Sequence, residues 1–452
     1  IDAALGRLAR GWRAWDEAGA AHRAAVLDRA AGLIEDARDP LLALLVGEAG
    51  KTLPDGMAEV REAADGCRWY AARAREQFVQ RELPGPTGER NTWALGGRGV
   101  FAAISPWNFP LAIFTGQIAA ALAAGNAVAA KPAEQTPLVA AHVVALLHQA
   151  GVPADVLDLL PGDGPTVGQA LIQDLRIAGV AFTGGTETAR SIAVALAARA
   201  GPIVPFIAET GGINAMIVDS SALPEQVVTD VITSAFGSAG QRCSSLRLLC
   251  LQEDIADRVV RMLAGAAETM VIGDPADPAT DIGPVIDAES RDHLLRYAAQ
   301  MGPPLFELKL PDGTEHGTFF APRAFMLNDP ASLQAEVFGP VLHVVRYAAD
   351  RLGAVLNAID ATGYGLTLGV HSRIEATQRR VVERLRVGNA YVNRNQIGAV
   401  VGVQPFGGRG LSGTGPKAGS PATLYRFAEE RVVSINTAAA GGNAALLATD
   451  EG

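Results

Sequence analysis

The 452 residues are enough for about three domains, and 49% hydrophobic against 19% charged residues excludes a disordered or fibrous chain in favour of a globular one with large cores. A formal net charge of −10 with no Lys/Arg run removes the basic footprint of a nucleic-acid binder and reads as serving solubility. Three cysteines, Cys67, Cys243 and Cys250, are too few and odd in number for a disulfide framework, which points to a reducing, cytoplasmic compartment.

The chain has no initiating Met and no secretory signal, and it opens inside a helical pattern (Ile1, Leu5, Leu8, Trp12, Trp15), so a piece of a longer protein is expected. Residues 1–80 read as helices. The apolar positions Met57, Val60, Ala64, Cys67, Ala71, Ala74 and Phe78 recur three and four apart, one buried helix face that takes Cys67 as core. A turn-rich link follows from Leu83 to Arg90.

From Val100 the chain alternates, each short apolar strand leading into a Gly-rich or polar turn and then a helical stretch. Val100–Ile104 leads into Ser105, Pro106, Trp107 and Asn108; Ala127–Ala130 into Lys131, Pro132, Ala133 and Glu134. Val156–Leu160 leads into Pro161 to Gly164, Val180–Phe182 into Thr183, Gly184, Gly185 and Thr186, and Val204–Ala208 into Glu209, Thr210, Gly211 and Gly212. This predicts a parallel, doubly wound α/β sheet with ligands beyond the carboxyl ends of the strands, where these turns lie. The uncharged stretch Ile104 to Ala130 has the length of a membrane span, but Pro106, Asn108, Pro110, Gln117 and Asn126 fit a strand end, a loop and a buried helix instead. A second α/β region is expected from Ile213 to Gly410, with strands at Ala215–Val218, Leu246–Leu251, Val341–Val345 and Tyr391–Asn393, closed by a Gly-rich run from Pro405 to Lys417.

Cys243 stands in Gly240-Gln241-Arg242-Cys243-Ser244-Ser245. A free thiol of pKa about 8.5 is only a few per cent thiolate at neutral pH, so a catalytic one needs help, with Arg242 and a bound cationic nicotinamide as candidate sources. Alone, Cys243 reads as a buried structural thiol rather than a catalytic one, and Cys250, mid-strand among leucines, keeps that reading. Glu209, ending a buried strand, suits a general base of raised pKa, or else a helix cap. Asn108, with Pro106 and Pro110 fixing its backbone, offers an amide donor to an oxyanion, a contribution of about 3 kcal/mol, or serves ordinary turn chemistry. Lys131 and Glu134 can hold the two hydroxyls of a ribose, and Glu134 would repel a 2′-phosphate, favouring NAD over NADP. Thr183 to Thr186 suits phosphate at a helix N-terminus. Gly162 to Gly168 misses the dinucleotide fingerprint by one residue, and Gly410 to Lys417 is no P-loop, because Pro416 stands where Gly is needed and Ala418 where Ser or Thr is needed. The histidines show no metal-ligand spacing, and no metal is expected.

In order, Ser105-Pro-Trp-Asn108-Phe-Pro110, Lys131-Pro-Ala-Glu134, Phe182-Thr-Gly184, Glu209-Thr-Gly-Gly212, Gly240-Gln-Arg-Cys243, Glu336-Val-Phe-Gly-Pro340 and Pro405-Phe-Gly-Gly408 resemble the aldehyde dehydrogenase superfamily over nearly the whole chain. The resemblance implies Cys243 as nucleophile, Glu209 as general base, and Asn108 with the Cys243 N–H as oxyanion hole. It implies an NAD site with Lys131 and Glu134 on the adenosine ribose and Glu336 and Phe338 on the nicotinamide ribose. Ile104, Ser105, Pro106, Trp107, Gly164, Thr183, Gly184, Gly185 and Thr186 would complete that site. One departure is Gly185, where the family often has Ser, which leaves more of the pyrophosphate to backbone N–H groups. The implied domains are a Rossmann-like NAD-binding unit (1–86 and 100–212), an α/β catalytic unit (213–410), oligomerisation strands (87–99 with 426–437) and a C-terminal tail (438–452).

Further segments, Gly50–Asp55, Glu59–Ala63, Gly402–Gly408, Gly413–Gly419 and the tail from Asn436 to Asn443, are similar to the dehydrogenase module of the bifunctional proline utilization A family. That similarity implies NAD-dependent oxidation of L-glutamate γ-semialdehyde to L-glutamate. The substrate's α-carboxylate would rest on Ser244, Gly398 and Ala399, with Phe109 and Phe406 on its aliphatic part. It also implies a homo-oligomer and a fused or tethered proline dehydrogenase module. Another carboxylated aldehyde, such as succinate semialdehyde, and a catalytically silent scaffold of the same fold are the alternatives.

Overall fold

The computed structural model describes residues 1–437; the tail 438–452 lies outside the described residues. Four helices come first, Asp2–Glu17, Ala20–Asp36, Arg38–Ala49 and Leu53–Gln77. The last carries Pro54 in its first turn, where the missing N–H leaves no helical bond unmade. Val60, Ala64, Cys67, Ala71 and Ala74 form its buried face, whereas Met57 is exposed. The stripe therefore begins one turn later than its apolar spacing suggests.

The first sheet is wholly parallel, in the order Leu157–Leu159, Ala127–Lys131, Val100–Ile104, Ile177–Gly184, Phe206–Thr210. The chain starts in the middle, runs to one edge and then to the other. The order reverses between Val100–Ile104 and Ile177–Gly184, which opens a crevice at their carboxyl ends. Gln117, on the buried helix Ala112–Ala123, closes the floor of that crevice: it accepts from Ser105 Oγ at 2.7 Å and donates to Thr183 Oγ1 at 3.0 Å. Among the described residues no helix is long and apolar enough to cross a membrane.

The second sheet has seven strands in the order Phe306–Glu307, Arg323–Leu327, Val341–Tyr347, Leu246–Gln252, Asn214–Val218, Thr367–His371, Asn389–Val392, parallel except for the first. Arg323–Leu327 and Thr367–His371 were not anticipated. Thr367–His371 reads Thr-Leu-Gly-Val-His, too polar and too short to stand out as a buried strand, yet all five residues are buried. A three-stranded antiparallel sheet joins Arg81–Leu83, Glu89–Gly97 and Ala428–Asn436. One apolar core spans the N-terminal helices and the first sheet and takes in Leu424 and Phe427; a second surrounds the seven-stranded sheet.

Asn126 shows how the first core tolerates a polar side chain. It is fully buried, and its amide is used at both ends. Oδ1 accepts from Arg98 N at 2.7 Å and Gly99 N at 3.2 Å, while Nδ2 donates to Ala121 O at 3.1 Å and Phe427 O at 2.9 Å. Asn126→Ala removes the side-chain partner of Arg98 N, Gly99 N and Phe427 O, while Ala121 O keeps the Asn126 backbone N–H at 3.0 Å, and urea denaturation should register a loss of about 3 kcal/mol. A loss below about 1 kcal/mol would mean that water or a shifted backbone replaces the amide.

Candidate active site

Cys243 follows the tight turn Gly237–Gly240, in which Ser238 (φ 58°), Ala239 (φ 52°) and Gly240 (φ 65°) are all left-handed. Two non-glycine residues in that region are strained, and the surroundings hold them there. Lys51 Nζ donates to Ser238 Oγ at 3.2 Å, and a Cβ on Gly240 would fall 2.2 Å from Gly339 O. Beneath the turn lies Arg247, fully buried. It donates to Gly240 O (2.7 Å), Arg242 O (3.1 Å), Gly339 O (3.1 Å) and Glu336 Oε1 (3.1 Å). Asn214 Nδ2 grips the carbonyls of Cys243 (2.6 Å) and Ser245 (2.9 Å).

The partly exposed Cys243 thiol faces a cavity of about 190 Å³. Burial pushes its pKa up to about 12, helped by the nearby carboxylates of Glu336 and Glu209; Arg247 and the Ser244 N–H pull the other way. Arg242, a candidate for activating the thiol, is instead paired with Asp55 at 2.5 Å and lies over the Phe109 ring. The cation that favours the thiolate is Arg247, four residues along, which a reading of the immediate neighbours missed.

Glu209 lines the same cavity. Its strand runs two residues further than the apolar pattern suggests, paired through Thr210 with Ile177–Gly184, and the Gly-rich segment covers its other edge: Thr414 N donates to Ala208 O (2.9 Å) and Thr210 N to Ser412 O (3.1 Å). The carboxylate accepts from Gly408 N at 2.9 Å. A Cβ would fall 2.6 Å from its Oε1 if placed on Gly407 and 2.9 Å from its Oε2 if placed on Gly413. These glycines are therefore the walls of a carboxylate cradle. Desolvation raises Glu209 to about 8, and its Oε1 is buried without a hydrogen-bond partner among the described residues.

Phe109, Ser244, Gly398, Ala399, Phe406 and Thr183 also line the cavity. Lys51 lies 4.4 Å from the centre of the Phe109 ring and 3.3 Å from Glu59, whose Oε2 accepts from Leu111 N and Ala112 N. Lys51 and Glu59 were quoted only as parts of motifs, and their contact with the Phe109 wall required the fold. Asn108 is buried outside the lining and spends one amide hydrogen on Gln241 O at 3.1 Å, leaving the other free of that bond.

The remaining predicted residues gather at the carboxyl ends of the first sheet and against Glu336. Trp107 meets the Phe338 ring edge-on at 5.5 Å, across the junction of the two sheets. Glu336 Oε2 occupies the space a Cβ on Gly211 would fill, at 1.6 Å. Lys131 is buried, with Nζ 3.7 Å from the exposed Glu134 carboxylate. Gly164 opens the helical turn Gly164–Gly168, and Ile104 ends the central strand beside Lys131, with Ser105 and Pro106 in the turn that follows. The helix Thr186–Ala198 starts after Gly185 with no side-chain cap, so its first N–H groups are open to an anion. Among the described residues no His, Cys, Asp and Glu cluster could hold a metal.

The sequence profile of the aldehyde dehydrogenase family matches residues 1–433. The chain belongs to the aldehyde dehydrogenase family. It is 55% identical over 429 residues to the bifunctional protein PutA of Escherichia coli K12, covering 92% of this chain and 32% of that protein, so it spans about a third of that relative's length. It is 36% identical over 433 residues to a 1-pyrroline-5-carboxylate dehydrogenase of Geobacillus sp. WCH70, covering 93% of this chain and 82% of that one. The crystal structure of 1-pyrroline-5-carboxylate dehydrogenase from Thermus with bound NAD superposes with a TM-score of 0.92 at 36% identity, over 96% of this chain and 85% of that one.

With its proton held by burial, Cys243 of this aldehyde dehydrogenase should alkylate slowly in the ligand-free chain at pH 7. Its rate should climb about tenfold per pH unit to beyond pH 10. Iodoacetamide labelling read by mass spectrometry checks this, and a midpoint near pH 8 would assign the thiol an ordinary, solvated environment.

Proposed function

We propose that this chain oxidises L-glutamate γ-semialdehyde to L-glutamate with NAD⁺. The observation that carries the reading is one cavity lined by a thiol (Cys243), a carboxylate of raised pKa (Glu209) and the Ser244, Gly398 and Ala399 positions. A hydroxyl and two backbone N–H groups suit a carboxylate, and Phe109 and Phe406 suit the methylenes between it and the aldehyde.

The Cys243 thiol gives its proton to Glu209 or water, and the resulting thiolate adds to the aldehyde carbon. The Asn108 amide and the Cys243 N–H hydrogen-bond the oxygen as it becomes an alkoxide. When bound, NAD⁺ would supply a hydride acceptor and a cationic ring that favours the thiolate. Glu209 then takes a proton from water, whose oxygen attacks the thioester; glutamate leaves and the thiol is restored. The residues at the first sheet suit the dinucleotide, with uncapped N–H groups at the start of Thr186–Ala198 for phosphate and Lys131 and Glu134 for the adenosine ribose, and Glu336 with Phe338, just ahead of Val341–Tyr347 in the second sheet, suit the other ribose. The chain works as a homo-oligomer, through the outer strand Ala428–Asn436, which exposes Val432, Val433 and Ile435. A proline dehydrogenase module acts with it, as its PutA relatives' bifunctional name suggests.

Glu209→Gln should form the thioester but not hydrolyse it, giving one equivalent of NADH per site and then nothing. In the parent, thioester hydrolysis needs the carboxylate form and should rise with pH through a midpoint near 8, where Glu209 ionises. Undiminished steady turnover in the variant would move the base elsewhere.

Substrate choice is tested by comparison with propanal, which lacks the carboxylate. Removing a charge-assisted hydrogen bond costs about 1.5–3 kcal/mol, so Ser244→Ala should lower the semialdehyde-to-propanal ratio of kcat/KM about tenfold or more. Equal kcat/KM for the two aldehydes in the parent would refute the substrate and leave the aldehyde dehydrogenase assignment standing. NAD⁺ should have a higher kcat/KM than NADP⁺, because the Glu134 carboxylate would repel a 2′-phosphate; preference for NADP⁺ would overturn the ribose assignment.

A further inference from the structure

Two walls of the cavity must keep a fixed separation if an aldehyde is held at both ends: the segment of Cys243, and the loop 393–399 that ends in Gly398 and Ala399. Each wall is tied down by side chains outside the lining, with Asn214, Thr367 and Gln396 buried among them. On the first, Asn214 Nδ2 holds the carbonyls of Cys243 and Ser245, while Thr367 Oγ1 donates to the intervening Ser244 O at 3.2 Å. Thr367 is itself fixed, since its N–H donates to Asn214 Oδ1 at 3.1 Å.

The loop begins at Asn393, which is left-handed (φ 52°) and brackets Ser372 with both ends of its amide, at 3.0 Å each. Gln226 Nε2 donates to Asn393 O at 2.6 Å. Gln396, fully buried, then receives the loop: its N–H donates to Ser234 Oγ at 3.2 Å, and its Nε2 donates to Thr367 Oγ1 at 3.3 Å. The two ties meet on one hydroxyl. Its hydrogen goes to the peptide of Ser244, and its lone pair takes the amide of the loop.

We propose that Thr367 is a positioning residue that sets the distance between Cys243 and the carboxylate-binding loop, and so selects aldehydes by the number of carbons between carboxylate and aldehyde. The inference rests on the proposed anchoring of the carboxylate by Ser244, Gly398 and Ala399. In glutamate γ-semialdehyde three carbons separate the carboxyl carbon from the aldehyde carbon, and homologues with one methylene fewer or more present the same end groups at another spacing. A valine at 367 keeps the shape of threonine but neither donates to Ser244 O nor accepts from Gln396, so the walls are free to drift. A misplacement of about 1 Å at a reacting centre costs on the order of 100-fold.

The experiment measures NADH formation from the semialdehyde, its two homologues and propanal in the parent, Thr367→Val and Thr367→Ser. The parent should prefer the three-carbon spacing. Thr367→Val should reduce that preference over both homologues about tenfold, mainly through KM, and Thr367→Ser, which keeps the hydroxyl, should restore it. Unchanged preference in Thr367→Val overturns the proposal. So does an equal fall in kcat for all four aldehydes, which would mark mere support of the nucleophile. A parent that fails to discriminate the semialdehyde from propanal removes the anchor itself, and the relay with it. If Thr367→Val shows no cooperative thermal transition, Gln396→Met is used: it spares the Thr367–Ser244 bond and cuts only the loop's tie. It too should lose the spacing preference, and full retention overturns the proposal.

Discussion

Much of the candidate site depends on one close approach, the glycine-rich segment laid along the edge of the strand Phe206–Thr210. That segment supplies the backbone partners on the strand's outer edge on both sides of Glu209 and the N–H that holds its carboxylate. The contact is possible only because Gly407 and Gly413 carry no side chain; a single methyl at either would meet the carboxylate within 3 Å. The same segment pairs Arg409–Gly410 with Tyr364–Gly365, just ahead of the strand that carries Thr367. Glu209 thus sits where the edge of the first sheet is stitched to the region of the second.

The cavity is electrostatically expensive. Cys243, Glu209 and Glu336 are all pushed toward their protonated forms by burial, and the first is pushed further by the charges of the other two. Against these stands the buried guanidinium of Arg247, whose own charge is disfavoured by the same desolvation. A buried ion pair such as Arg247–Glu336 is weak evidence of stability, because desolvation can outweigh the attraction. Its value here is geometric: the same guanidinium fixes three backbone carbonyls around the proposed nucleophile. A thiol that keeps its proton until charge arrives is inert to stray electrophiles.

Buried polar side chains carry out a similar task without charge. Asn126, Asn214, Thr367 and Gln396 are all buried, and each joins segments distant in sequence. An apolar replacement would pack in the same volume but would not specify which carbonyl faces which strand. Conformational precision around a small site comes from such directional bonds, while the alanine-rich cores supply the bulk of the burial.

The sequence by itself determined a good deal. Alternating apolar runs and Gly-rich turns are local signals, because each strand is buried on both faces and each turn must leave it abruptly. They located the strands of the first sheet to within a few residues and put Glu209, Lys131 and Thr183 at their ends. Cys243 and its neighbours were legible as an ordered series of motifs. What depends on contact between distant segments was not legible. Arg242 stands beside Cys243 in sequence but answers to Asp55, while Arg247 reaches under the Cys243 segment because a β-strand turns its side chain inward. The polar strand Thr367–His371 is buried only because neighbours flank it on both sides. The glycines of 407–413 look like a loop or a failed phosphate motif until Glu209 is seen between them. Turn chemistry and periodicity are written within a few residues, whereas the pairing of a charge or hydroxyl is decided by whichever group the folded chain brings within 3 Å, and only the tertiary structure decides that.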